Sequence, residues 1–176
     1  VKVIDKIENG YRLSLTTGET IDTNLIMYAT GRHPNSSNLG LEKIGVELTS
    51  NGAVKVNEWS QTNIPNIHAV GDLTDRIALT PVALMEGHAY ADTVFGNISR
   101  KPDHVDVPSA VFSQPSVGSV GLTEEQALEQ IGNIDVYKST FTPMKHTLTP
   151  SSEQTLMKLI VDAKTDRVVG CHVVGP

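Results

Sequence analysis

The sequence predicts an α/β protein of more than one unit, and three observations indicate this class. Alternating apolar residues and turn signals fill the first thirty residues, a helix with both ends marked occupies residues 80–95, and strand patterns return after residue 107. A polar stretch at 97–108, with two prolines, separates the helix from the later strands and is typical of a linker. Because the sequence begins within a strand pattern, we expect a fragment of a longer protein.

Alternation and turn residues predict several short strands before the helix. The dipeptide Asn9-Gly10 indicates a hairpin between the first two, because both residues tolerate the positive φ of a tight turn. Residues 31–52 are rich in glycine, proline, asparagine and serine and predict a connecting stretch. The predicted strands lie at residues 1–7, 11–17, 25–29, 53–56 and 67–70.

Two helices carry end signals in the sequence. Thr80 is the predicted N-cap of the first, Pro81 its first helical residue and Gly96 the residue just past its end. Thr123 and Gln126 have the spacing of a capping box and predict a second helix that stops at Gly132. Strands are predicted around it at residues 110–113, 136–141, 156–161 and 168–174.

Charge and cysteine content exclude several classes of function. The formal net charge is −6 over 176 residues, with no stretch rich in lysine and arginine, which argues against nucleic acid or an anionic membrane surface as partner. No apolar run approaches the roughly 18 residues of a membrane span. The single cysteine, Cys171, cannot form a redox pair within these residues. The six histidines show no metal-binding spacing, so we expect no metal site.

The segment 62–72 has the most chemical content. A predicted strand ends at Gly71-Asp72 and leaves a carboxylate at its carboxyl end, where α/β sheets hold ligands; an aspartate that caps the next turn is the alternative. Residues Thr62, Ile67 and Ala69, with Gly71 and Asp72, match the pattern T-x-x-x-x-I-x-A-x-G-D. The segment thus resembles the second FAD-binding motif of the pyridine nucleotide-disulfide oxidoreductases.

Other segments resemble the same family in the family's order. Residues 29–35 resemble the junction between its NADPH and flavin domains, and residues 79–83, Leu-Thr-Pro-Val-Ala, resemble the start of the helix under the flavin ring. Residues 110–124 resemble the opening of the dimer-interface domain, and Phe-Thr-Pro-Met-Lys at 141–145 resembles a pattern of the glutathione and trypanothione reductases. The resemblance covers essentially the whole chain and is strongest to the glutathione reductase branch.

The resemblance implies a particular fold and particular sites. The fold class is an α/β flavoprotein fragment: residues 1–31 end an NAD(P)-binding domain, 32–106 form the second half of the FAD-binding region, and 107–176 form a truncated α+β dimerisation domain. By the same resemblance, FAD contacts Arg32, Gly71, Asp72, Leu79 and Thr80, NADPH contacts Gly31 and Ala110, and the disulfide substrate contacts His88, Phe141 and Met144.

The implied reaction is the NADPH-dependent reduction of glutathione disulfide by a homodimeric, FAD-containing enzyme. Its expected location is the cytoplasm, with an organelle stroma or matrix as the alternative. The family's redox cysteine pair and His-Pro are absent from these residues, so we expect no catalytic residue here and no activity from this chain alone. At His88 many members carry an arginine that holds a carboxylate of glutathione; a histidine does so only when protonated.

Two alternatives remain open at this point. Trypanothione reductase shares the Leu-Thr-Pro-Val-Ala and Phe-Thr-Pro signals, and the isolated chain could be a non-catalytic oligomerisation module.

A physical argument supports flavin binding independently of the family. Thr80 follows Asp72 by only eight residues, and a helix N-terminus carries unpaired N–H groups and a partial positive charge. Negative charge on a reduced flavin ring would be stabilised there.

Overall fold

A computed structural model describes all 176 residues and divides them into two units, Val1–Pro34 and Asn35–Pro176. The first unit holds a three-stranded antiparallel sheet in the order β1-β2-β3, formed by β1 (Val3–Ile7), β2 (Gly10–Ser14) and β3 (Thr20–Thr23). The hairpin predicted at Asn9-Gly10 is confirmed, since β1 and β2 pair up to Ile7 and Gly10.

The strand predicted at residues 25–29 is wrong. These residues form no regular secondary structure, and Leu25 and Met27 are 83% and 87% exposed. The third strand is β3 instead, which holds a single apolar residue but pairs with β2 in antiparallel register. An ion pair between Arg12 and Asp22, at 2.6 Å, also joins the two strands. Pairing to β2, rather than the hydrophobicity of the segment, therefore decides where the third strand lies.

Residues 35–79 surround a small apolar core with little regular structure. Val46, Val54 and Ala69 form its buried centre, and the segment contains 3₁₀ turns at Glu42–Ile44 and Gly71–Thr74. The strands predicted at 53–56 and 67–70 are wrong: each is reduced to one isolated bridge. Residues 53–55 pair with 47–49 across a tight turn closed by the hydrogen bond from the N–H of Gly52 to the carbonyl of Thr49. Residues 67–69 pair with 60–62 across another, closed by the bond from the N–H of Ile67 to the carbonyl of Ile64, so both pairings stay short.

The first predicted helix is confirmed as α1 (Thr80–Val94). Its N-cap is Leu79 rather than Thr80, because Leu79 is extended (φ −132°, ψ 136°) and its carbonyl accepts the first helical hydrogen bond, from the N–H of Ala83 at 3.1 Å. α1 is fifteen residues long and buries Val82, Glu86 and Ala89. No helix of the structure is long and apolar enough to cross a membrane.

The last seventy residues contain β4 (Ser109–Val111), β5 (Ser116–Gly121), α2 (Glu124–Gln130), β6 (Ile134–Phe141), β7 (Thr155–Asp162) and β8 (Arg167–Gly175). The five strands form one antiparallel sheet in the order β4-β5-β8-β7-β6. The predicted capping box of Thr123 and Gln126 is confirmed at the start of α2, which contacts β6 and β7. The prediction missed β5, because its Ser-Val-Gly-Ser-Val-Gly sequence has weak strand propensity.

Candidate functional site

The centre of the candidate site is the 3₁₀ turn Gly71–Thr74, which follows the buried Ala69. Gly71 is buried and has a φ of +69°, a conformation that side chains rarely adopt. A Cβ at this position would lie 3.1 Å from the Cβ of Ala83 in α1. A glycine therefore allows the turn both its left-handed backbone and its close packing on the first part of α1.

Asp72 lies on the outer side of this turn. Its side chain is exposed and makes no hydrogen bond or ion pair within the structure. The turn itself is fixed from behind, because the hydroxyl of Thr74 donates to the carbonyl of Gly71 at 2.9 Å. The carboxylate of Asp72 is thus free to accept hydrogen bonds on a backbone that is held in place.

The N-terminus of α1 presents free donors beside this turn. Leu79 supplies no side-chain cap, and Pro81 occupies the first turn, where its missing N–H costs nothing. Thr80 is exposed and Leu79 is half-buried. The first-turn N–H groups carry the positive end of the helix dipole. The arrangement can therefore bind a ligand that combines hydroxyl groups, for Asp72, with a polar or anionic edge, for the helix end.

Sequence reasoning missed the role of Glu86. This residue of α1 is 1% exposed, and its carboxylate accepts a hydrogen bond from the N–H of Gly71 at 2.5 Å. Arg76 Nη2 and His104 Nε2 lie 2.9 and 2.7 Å from its other oxygen, Oε1. A signal was available, since Val82, Glu86 and Ala89 share one helical face by their spacing and a carboxylate on a buried face needs partners.

None of the remaining predicted residues belongs to this turn. Gly31 (φ +122°) and Arg32 are exposed in the first unit and belong to no strand or helix. His88 is exposed on α1, two turns beyond its start. The roles of these three residues stay predictions.

Three predicted residues lie in the segment that forms the five-stranded sheet. Ala110 is exposed in β4, where it pairs with Gly118 of β5. Phe141 ends β6 opposite Thr155 and is 39% exposed. Met144 begins the 3₁₀ turn Met144–His146 and is 88% exposed. Accessible apolar side chains at Phe141 and Met144 are available to contact a ligand or another chain.

Family models match most of the chain. Residues 1–87 match the pyridine nucleotide-disulphide oxidoreductase model, and residues 107–176 match the model of the dimerisation domain of the same family. The chain belongs to this family, and the resemblance found in the sequence is confirmed. The family uses FAD and NADPH, which confirms the expected cofactors.

Curated relatives place the chain more narrowly within the family. It is 49% identical over 99% of its length to glutathione reductase of Burkholderia cepacia and 53% identical over 93% to the chloroplastic/mitochondrial glutathione reductase of Pisum sativum. It is also 46% identical over 93% of its length to trypanothione reductase of Trypanosoma congolense. The chain spans 39%, 30% and 33% of these three relatives, respectively.

A solved structure of the same class confirms the predicted fold. The HOCl-induced flavoprotein disulfide reductase RclA from Escherichia coli matches 98% of this chain, and 40% of its own, with a TM-score of 0.83 and 28% identity. Its Cu(II) complex matches 99% of the chain with a TM-score of 0.85. The mixed α/β arrangement of two sheets and few helices is therefore that of a flavoprotein disulfide reductase fragment.

Proposed function

We propose that these residues are part of an NADPH-dependent, FAD-containing enzyme that reduces glutathione disulfide. The observation that carries the proposal is the exposed, unpartnered carboxylate of Asp72 on a turn that packs against the first part of α1. The identities of 49% and 53% to glutathione reductases support the choice of substrate.

The residues of the turn and of the α1 N-terminus fit FAD. Asp72 would accept hydrogen bonds from ligand hydroxyls, while Gly71 permits close approach of the backbone. Leu79 and Thr80 would present the helix end, which stabilises adjacent negative charge by about 0.3–1 kcal/mol. We also assign Arg32 to FAD. When bound, FAD would supply the electron transfer between NADPH and the disulfide.

NADPH and the disulfide would contact other parts of the chain. We assign Gly31 and Ala110 to NADPH, and His88, Phe141 and Met144 to the disulfide, in a homodimer whose subunits share the substrate site. The match of residues 107–176 to a dimerisation domain supports this assembly. Cys171 is the only cysteine, so the redox pair would have to lie outside these residues, which alone would be inactive.

A matched pair of aspartates tests the flavin assignment. Asp72 and Asp75 are both exposed residues at the same turn, but Asp75 already accepts a hydrogen bond from Asn51 at 2.6 Å. In the complete enzyme, Asp72→Ala should weaken FAD binding roughly 10- to 150-fold, since a hydrogen bond to a charged group is worth about 1.5–3 kcal/mol. Asp72→Asn should weaken it less, and the control Asp75→Asn should leave it unchanged. Equal dissociation constants for wild type and Asp72→Ala would remove Asp72 from the site.

The substrate is tested at His88, because trypanothione reductase, at 46% identity, is the second candidate. A guanidinium carries a permanent positive charge and a two-donor fork that matches a carboxylate, so it should hold a glutathione carboxylate better than an imidazole does. His88→Arg should therefore lower the KM for glutathione disulfide with little change in kcat, whereas Gln130→Arg, at an exposed position of α2, should leave the KM unchanged. A wild-type enzyme that turns over trypanothione disulfide but not glutathione disulfide would establish the second candidate.

The compartment of the enzyme stays a proposal. We infer a cytoplasmic location, with an organelle stroma or matrix as the alternative, which the chloroplastic/mitochondrial relative supports. Fractionation of cells with an antibody against the protein would distinguish the two, and recovery only in a secreted fraction would contradict both.

A further inference from the structure

Glu86 is the most deeply buried charged side chain of the structure, with 1% exposure. Burial of a carboxylate is costly unless hydrogen bonds and opposite charge surround it. Here three donors converge on its two oxygens: the N–H of Gly71 on Oε2, and Arg76 and His104 on Oε1. The carboxylate, which α1 carries, is therefore bound by residues 71 and 76 before the helix and by residue 104 after it.

These contacts reach both backbone polar groups of Gly71. Its N–H donates to Glu86, and its carbonyl accepts from the hydroxyl of Thr74, which in turn lies 3.3 Å from Nε of Arg76. Arg76 also donates to the buried hydroxyl of Ser60 at 3.0 Å. The two peptide groups that flank the Cα of Gly71 are thus held by one network around the buried carboxylate of Glu86.

We propose that Glu86 is a positioning residue: its buried carboxylate sets the backbone of Gly71 and so aims the carboxylate of Asp72 at the hydroxyl groups of FAD. This inference rests on the proposed flavin site. Glu86 itself, at 1% exposure, faces the turn rather than the ligand. Its contribution to binding must therefore pass through the turn, whose free carboxylate is that of Asp72.

Glu86→Gln is the sharpest perturbation because it keeps the size of the side chain. A glutamine side chain has one acceptor oxygen. This oxygen will pair with the guanidinium of Arg76, because a guanidinium can only donate hydrogen bonds. The amide NH₂ then faces the N–H of Gly71, so two donors meet where a hydrogen bond stood. Ala89→Gly, on the same buried face of α1, is the control that destabilises the helix without touching this network.

A double-mutant cycle on the FAD dissociation constant of the complete enzyme tests the inference, with apoprotein titrated by FAD. Glu86→Gln should weaken binding about tenfold in the wild type, the loss of one hydrogen bond to a charged group, and less than about twofold in Asp72→Ala. Ala89→Gly should lower the unfolding midpoint but leave FAD affinity unchanged. Should Glu86→Gln fail to fold, Arg76→Gln takes its place and should show the same loss of effect in Asp72→Ala.

The outcomes separate this inference from the proposed function. Equal effects of Glu86→Gln with and without Asp72, or no effect in the wild type, would overturn the positioning role while the flavin site stands. No effect of Asp72→Ala would overturn the flavin assignment and the positioning role together. An FAD affinity that falls with Ala89→Gly as much as with Glu86→Gln would make Glu86 a stability residue only.

Discussion

Replacement of Gly71 by alanine should destabilise the fold through two separable effects. The first is the left-handed conformation at φ +69°, which costs an L-residue about 1–2 kcal/mol. The second is crowding, because the new Cβ would lie 3.1 Å from the Cβ of Ala83. Overpacking of this kind costs about 1–3 kcal/mol. Alanine also lowers the entropy of the unfolded chain, which returns about 0.4–1 kcal/mol.

Gly40 provides a control for the first effect. It has a similar φ of +73°, and a Cβ there would meet nothing within 4 Å. Gly40→Ala should therefore cost about 0–1.5 kcal/mol, and Gly71→Ala about 1–4.5 kcal/mol. Urea unfolding of the apoprotein, followed by circular dichroism, measures both. If Gly71→Ala destabilises no more than Gly40→Ala, the close packing of the turn on α1 is not what requires a glycine.

Three further outcomes are expected in residues 107–176, each measured by urea unfolding. Thr123→Ala should cost about 1 kcal/mol, because it removes the capping box of α2. Ile160→Ala should cost about 2–5 kcal/mol at a fully buried site, and Leu159→Ala, at a site 38% exposed, clearly less. The hydrogen bond from Lys158 lowers the pKa of Glu124. The pairing therefore stabilises the fold at pH 7, and this contribution is lost as the pH falls below the ordinary glutamate pKa of about 4.3. Lys158→Met should accordingly destabilise the protein at pH 7 and have a smaller effect in acid. If Lys158→Met lowers the free energy of unfolding as much at pH 3, roughly one unit below the ordinary glutamate pKa, as at pH 7, the pairing is contradicted.

The elements that the sequence predicted correctly are those with local signals. The capping box joins residues three positions apart. Asn9-Gly10 lies at the turn between the two strands whose hairpin it predicts. By contrast, β3 and β5 exist because of pairing with other strands, which no property of their own residues records. The same reasoning explains why residues 25–29 mislead: an apolar run indicates burial only where a partner is present.

The candidate site divides in the same way. The motif around Gly71 and Asp72 is contiguous, and so could be found by resemblance. Glu86 was not assigned a role, because its partners Gly71 and His104 lie 15 and 18 residues away in the sequence. Only the folded chain shows that a helix, a turn and the loop after α1 meet at one carboxylate.

The most direct test of the central claim is the flavin content and activity of the purified complete protein. We expect bound FAD in a ratio near one per subunit, reduction of that flavin by NADPH in the absence of oxygen, and its reoxidation on addition of glutathione disulfide. A protein that binds no FAD even after reconstitution, yet still self-associates, would contradict the claim and establish an oligomerisation module instead.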